Sequence, residues 1–191
     1  MQEFKMSTPQ ELRAIRLKND YKSMLNIRGD IVDWKLTRGS ETLPQEFEIT
    51  FNIRSIIDNS PTYRNNHVVK IVIPSEYPKS APEAHMITKP FVFHPNWYTS
   101  GKWCHGTWFE TEGLAEFTLR LAKTLQYDKD ITNENSAANG DANTFYIRNK
   151  NRDIFPTDRQ NLPDPTEDVR VNRPKKKFQI EQPRKKKFQI D

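Results

Sequence analysis

Cysteine is nearly absent: the 191 residues hold one, Cys104. A single thiol excludes an internal disulfide framework and any thiolate-rich zinc or iron–sulfur centre, and it fits a reducing compartment. A cytoplasmic location is therefore expected. No run of 18 or more apolar residues occurs, and the start Met1-Gln2-Glu3-Phe4-Lys5 lacks the basic-then-apolar order of a secretory signal. Membrane spanning and secretion are both disfavoured. With 35% hydrophobic residues over this length, the chain suits one domain rather than two.

Basic charge is scarce once the end of the chain is set aside. Residues 173–191 hold eight Lys and Arg against Glu181 and Asp191, a local charge of +6, whereas the other 172 residues carry 22 basic and 23 acidic groups. The overall +5 thus belongs to the tail, and any nucleic-acid function would be a tail function. That tail repeats itself: Lys175-Lys176-Lys177-Phe178-Gln179-Ile180 returns as Lys185-Lys186-Lys187-Phe188-Gln189-Ile190. Two such copies are too charged to build a core, and their repetition suggests bivalent docking to an acidic partner. RNA, an anionic membrane surface, strand addition to another sheet, and self-modification on the lysines remain open alternatives.

What is present reads as a helix, a run of strands and then further helices. Thr8-Pro9-Gln10-Glu11 is a capping box with proline at the first helical position. Leu12, Ile15, Tyr21, Met24 and Leu25 follow at helical spacing, which predicts an amphipathic helix over about residues 8–25. Strand patterns come at 31–36, 47–53 and 68–73, and a fourth apolar stretch at 84–88 follows the two prolines Pro78 and Pro82. Short polar turns predict a four-stranded antiparallel meander. From Phe91 to Glu112 the chain is aromatic-rich without helical or strand period, the mark of a long functional loop. Helices are predicted from Leu114 through Leu125 and from Ala142 to Lys150, and Leu162-Pro163-Asp164-Pro165 reads as linker. The domain reading is 1–156 catalytic, 157–172 linker and 173–191 basic tail, expected to be disordered alone.

The motifs in the middle of the chain carry a resemblance. Tyr77-Pro78, Pro82, the triplet His94-Pro95-Asn96, Gly101, and Cys104 ten residues after the histidine together resemble the active-site region of ubiquitin-conjugating enzymes. Asn133-Glu134-Asn135-Ser136-Ala137-Ala138-Asn139 is similar to that family's Asn-Pro-Asn-x-Pro-x-Asn stretch, and Ser136 falls 32 residues after Cys104, where the family keeps a serine or aspartate. The resemblance covers about residues 8–155 and implies the α+β fold of that family: an amino-terminal helix, a four-stranded meander, a cysteine loop and later helices. The departures are His105-Gly106 after the cysteine, in place of Leu-Asp, and Glu112-Gly113-Leu114, in place of Trp-Ser-Pro. They point to a divergent member with unusual ligase recognition, such as a prokaryotic-type enzyme serving a ubiquitin-like modifier other than ubiquitin.

The residue types suit the chemistry independently. Acyl transfer from thioester to amine needs a thiol that is both nucleophile and leaving group, and Cys104 is the one candidate. A neutral amide such as Asn96 stabilises an oxyanion without competing as a nucleophile. The resemblance assigns His94 and Pro95, with Tyr77 and Pro78, to shaping the active-site turns, and Ser136, with Asn135 and Asp141, to orienting the incoming lysine. It also implies a ubiquitin or ubiquitin-like protein, an activating enzyme, a ligase and target lysines as partners, with Arg13, Arg16 and Lys18 on the docking helix. No metal or organic cofactor is implied. Two other readings fit the same residues: a catalytically silent binding module of this fold, and a cysteine hydrolase pairing Cys104 with His94 or His105.

Overall fold

The computed structural model describes residues 8–156 and 161–166; the repeats of the tail lie outside them. Helix α1 (Pro9–Asn26) starts on the predicted capping box: Thr8 Oγ1 accepts from the Glu11 N–H at 3.2 Å, and the Glu11 carboxylate accepts from the Thr8 N–H at 2.7 Å. The chain then forms β1 (Val32–Gly39), β2 (Pro44–Phe51), β3 (Ser55–Ile56), β4 (Tyr63–Arg64), β5 (His67–Val72) and β6 (Glu83–Met86), followed by α2 (Leu114–Leu125) and α3 (Gly140–Asn149). Strands β1, β2, β5 and β6 pair in that order, each antiparallel to the next. This is the expected meander, interrupted by the two-residue pairing of β3 with β4.

Alternation along β2 places Phe47, Ile49 and Phe51 inward, where all three are fully buried. Each such side chain contributes about 1.5–3 kcal/mol through the apolar area it removes from water. The opposite face bears the cross-strand pairs Lys35–Glu48 at 2.6 Å and Lys70–Glu46 at 3.4 Å, the solvated side of a one-sided sheet. Helix α2 lies in the interior, with Leu114, Phe117, Leu121 and Leu125 all buried in one core with Trp34, Phe47 and Ile49. The Asn139 side chain caps α3 by accepting from the Ala142 N–H at 3.1 Å. A second, smaller core gathers Ile56, Tyr127, Tyr146 and Phe155.

Helix α1 buries only the later part of the stripe its apolar spacing suggests, Met24 with Tyr21 and Leu25 packed against the core. Leu17 and Met24 face the core with Asp20, whereas Leu12 and Ile15 are more than half exposed. The reason is that the first half of α1 meets the polar backbone of the Tyr77-Pro78 region: Arg13 Nη2 donates to the Pro74 carbonyl at 3.1 Å, and Arg16 turns inward. In the stretch read as linker, Leu162 packs against the main core and Asn26 Nδ2 donates to the Pro165 carbonyl at 3.0 Å. Among the described residues no helix is long and apolar enough to cross a membrane.

Candidate active site

The cysteine loop grows from the edge of β6. The Met86 N–H donates to the Gly101 carbonyl at 2.8 Å and the Trp103 N–H to the Ala84 carbonyl at 2.9 Å, so the chain entering Cys104 is an added strip of the sheet. A tight turn precedes it, closed by bonds from the Gly101 N–H to the Tyr98 carbonyl and from the Tyr98 N–H to the Lys102 carbonyl, both 2.9 Å. Gly101 sits at φ +86°, and a Cβ there would lie 2.8 Å from the Phe91 ring. Only glycine meets both conditions. Trp97 and Trp103 flank the turn and are fully buried, so these aromatics anchor the loop in the core. Trp108 Nε1 donates to the Pro78 carbonyl at 2.7 Å, which ties the chain beyond the cysteine to the Tyr77-Pro78 turn.

The His94-Pro95-Asn96 triplet holds the other side of the cysteine. His94 is fully buried, its Nδ1 accepts the Asn96 N–H at 2.9 Å, and its ring lies 4.3 Å from that of Tyr127. Burial pushes the imidazole down to about pKa 3, so it is neutral. The Pro95 carbonyl accepts the Ala138 N–H at 2.8 Å, which brings in the asparagine-rich connector. Asn96 completes the joint. Its carbonyl accepts the Cys104 N–H at 2.8 Å, its Nδ2 donates to the Ile131 carbonyl at 3.1 Å, and its Oδ1 accepts the Asn133 N–H at 3.0 Å.

These bonds leave a cleft of about 200 Å³ whose walls include Cys104, Asn96, Asn133, Ser136, His105 and Arg120. Cys104, a free thiol, is half-buried, and Ser136 is exposed. Thus three residues distant in sequence meet in one cleft. Asn135 is exposed next to Ser136, and both their N–H groups are taken by Asn133 Oδ1, at 3.1 and 3.0 Å. Asp141 lies in the first turn of α3 and lines a different recess, with Asn59, Phe93 and Arg148. His105 lines the cleft, but its ring packs against Trp103 and Phe117, with centroids 6.0 and 5.7 Å away. Burial, with a smaller contribution from Arg120, holds its pKa below the usual histidine value.

Two groups escaped the sequence reading. Arg120 reaches the loop from α2, and Glu112 binds it with both carboxylate oxygens at 2.8 Å. Arg120 lies in no motif, and Glu112 enters the sequence analysis only as a departure at the Trp-Ser-Pro position, so local pattern gave no sign that the two pair. Arg16, by contrast, was singled out as a docking residue, yet its guanidinium points inward to Asp20 at 2.9 Å, to the Tyr77 hydroxyl at 3.2 Å, and to the carbonyls of Glu110 and Glu112. Lys18 is exposed on α1. Asp20 is itself buried and accepts from the Tyr77 hydroxyl at 2.6 Å and from the Leu114 N–H at 3.1 Å, joining α1, the Tyr77-Pro78 turn and the start of α2. Burial, reinforced by Asp20, raises the Tyr77 hydroxyl far above the ordinary tyrosine pKa, so it remains a donor. No cluster of three or more His, Cys, Asp or Glu suited to a metal ion occurs among the described residues.

No family model matches the chain. Over 118 residues it is 30% identical to ubiquitin-conjugating enzyme E2 S of Dictyostelium discoideum, a match that takes in 58% of this chain. The chain spans about half the length of that relative, 52%. Among solved structures, a crystal structure assigned to a ubiquitin conjugating enzyme of Plasmodium yoelii superposes with a TM-score of 0.54 over 78% of this chain and 91% of that one, at 16% identity. That likeness establishes the fold. The chain thus has the fold of the ubiquitin-conjugating enzymes and, over 118 residues, is similar in sequence to one of them.

Proposed function

We propose that the chain receives the carboxyl terminus of ubiquitin or a ubiquitin-like protein as a thioester on Cys104 and passes it to a target lysine. The observation that carries this reading is the half-buried Cys104 thiol in one cleft with Asn96 and Ser136. In the first step the Cys104 thiolate attacks the thioester carbonyl held by an activating enzyme; a new C–S bond forms and the activating enzyme's thiolate leaves. In the second, a neutral lysine amine attacks the same carbonyl carbon. The C–N bond forms, Cys104 leaves as thiolate, and the amine proton passes to solvent.

We assign Asn96 to the second step. An amide NH₂ has two donors; the Ile131 carbonyl takes one, and the other serves the oxyanion that develops beside Cys104. Ser136, at the exposed wall of the cleft, orients the arriving ammonium and lowers its hydration. The cytoplasm is the proposed setting, and an activating enzyme, a ligase and target lysines are the proposed partners. The hydrolase reading has less support: the His94 ring is buried with Nδ1 occupied, and the His105 ring, although it lines the cleft, packs on Trp103 and Phe117. Incubation with an activating enzyme, its modifier and ATP, followed by non-reducing electrophoresis, tests the proposal. A thiol-labile adduct of one modifier mass is expected, lost in Cys104→Ala and converted to a thiol-resistant ester in Cys104→Ser. If an activating enzyme that has charged itself yields no adduct, the carrier role fails.

A further inference from the structure

Between Cys104 and Trp108, whose Nε1 ties the chain to the Pro78 carbonyl, lies a short exposed stretch. Gly106 sits there at φ +72° with no atom within 4 Å of where its Cβ would lie, and Gly106 and Thr107 are exposed. Arg120 supplies the restraint from outside the loop. Its Nε and Nη2 fork onto the two Glu112 carboxylate oxygens, both at 2.8 Å, and its Nη1 donates to the His105 carbonyl. The guanidinium lies over the rings of Trp103 at 5.3 Å and Phe117 at 5.5 Å. Glu112 is fixed in turn, since its carbonyl accepts from Arg16 Nη2 and its N–H donates to the Phe109 carbonyl at 2.9 Å. The Arg120 and Glu112 side chains are only 22% and 15% exposed, so solvent screens this pair less than a surface pair.

We infer that the Glu112–Arg120 pair is the positioning unit of the nucleophile: it fixes the carbonyl that follows Cys104, while the Asn96 carbonyl fixes the N–H of Cys104 itself. The thiol is thereby held between two anchors, one on the His94-Pro95-Asn96 turn and one on α2. The geometry requires a guanidinium. A lysine in that place is a point charge that cannot fork onto both carboxylate oxygens and also reach the His105 carbonyl. The inference rests on the thioester reading of Cys104, and it places Arg120 as a positioning residue that acts through the backbone.

The test uses Arg120→Lys, Glu112→Gln and the charge-reversed pair Arg120→Glu with Glu112→Arg. Two rates are measured: alkylation of Cys104 by iodoacetamide, and single-turnover discharge of the preloaded thioester to free lysine over a range of lysine concentrations. A misplacement of about 1 Å costs up to about a hundredfold in rate. We expect discharge at saturating lysine to fall about tenfold or more in Arg120→Lys and Glu112→Gln, with the half-saturating lysine concentration unchanged, and alkylation to change at least threefold. The reversed pair regains the ion pair and its melting temperature, but glutamate cannot donate to the His105 carbonyl, so its discharge stays slow. Lowered melting temperatures with both rates within twofold of the parent would overturn the inference and leave a merely structural ion pair. If the parent accepts no modifier from a charged activating enzyme, the thioester reading fails separately, and the alkylation rates alone then decide whether the pair positions the thiol.

Discussion

Replacing Asn96 with alanine removes two observed hydrogen bonds and, under the proposed function, an oxyanion donor, and the two effects can be sized separately. The side chain makes two hydrogen bonds to the 131–133 segment, at 3.1 and 3.0 Å. At about 1 kcal/mol net for each, their loss should cost ~2 kcal/mol of stability. In a chain of this size that is a fall of about 4–8 °C in melting temperature. Loss of an oxyanion donor should cost about 10²–10³ in the rate of lysine discharge. Asn96→Asp separates the two. An aspartate keeps an acceptor for the Asn133 N–H but sets an anion against the Ile131 carbonyl and the developing oxyanion, so discharge should be as slow as in the alanine variant or slower. Melting curves give the first quantity, and single-turnover discharge of thioester loaded on Cys104 gives the second. The reasoning is refuted if Asn96→Ala melts within about 1 °C of the parent, or if its discharge rate stays within threefold.

Three further outcomes follow from the packing. Gly101→Ala forces a Cβ to 2.8 Å from Phe91 at a positive φ, and should cost about 2–3 kcal/mol in denaturant unfolding, where a loss under 0.5 would contradict the strain argument. Asp20→Ala strips the buried acceptor from Tyr77, Arg16 and the Leu114 N–H and should cost about 3 kcal/mol; an unchanged melting temperature would mean that the network does not tie α1 to α2. Buried His67 and His94 have folded pKa values held down by desolvation to about 4 and about 3, from 6.5. Both are neutral in the fold and protonate more readily when unfolded. Their contribution is therefore complete above about pH 6.5 and drains at about 1.4 kcal/mol per pH unit each as pH falls toward the folded values. At pH 5 the two should together have lost roughly 4 kcal/mol, and His67→Asn should flatten the slope between pH 6.5 and 5 relative to the parent.

The elements with strong local signals were legible in the sequence. The capping box at Thr8 and the apolar period from Leu114 fix α1 and α2 to within a residue at their starts, and alternation along Phe47-Glu48-Ile49 marks β2. Two-residue strands such as Ser55–Ile56 have no period to read and were missed. Helix α3 begins at Gly140, two residues before the sequence reading places it, because the Asn139 cap overrides a residue that ordinarily breaks helices. The cleft was only partly legible. Cys104, Asn96 and Ser136 stand out through motif spacing, whereas Arg120 and Glu112 reach the cysteine loop through contacts that chain folding alone creates. Arg16 shows the same limit from the other side: its charge on a helix reads as solvated, and only its bonds to Tyr77 and to carbonyls nearly a hundred residues away show it turned inward.

The most direct measurement of the central claim is intact mass of the chain after reaction with a charged activating enzyme and modifier, taken with and without excess thiol. The account predicts an increment of one modifier on Cys104 that thiol removes, that free lysine discharges in the parent, and that free lysine discharges far more slowly when Asn96 is replaced. An activating enzyme that charges itself but never passes the modifier to this chain would contradict it.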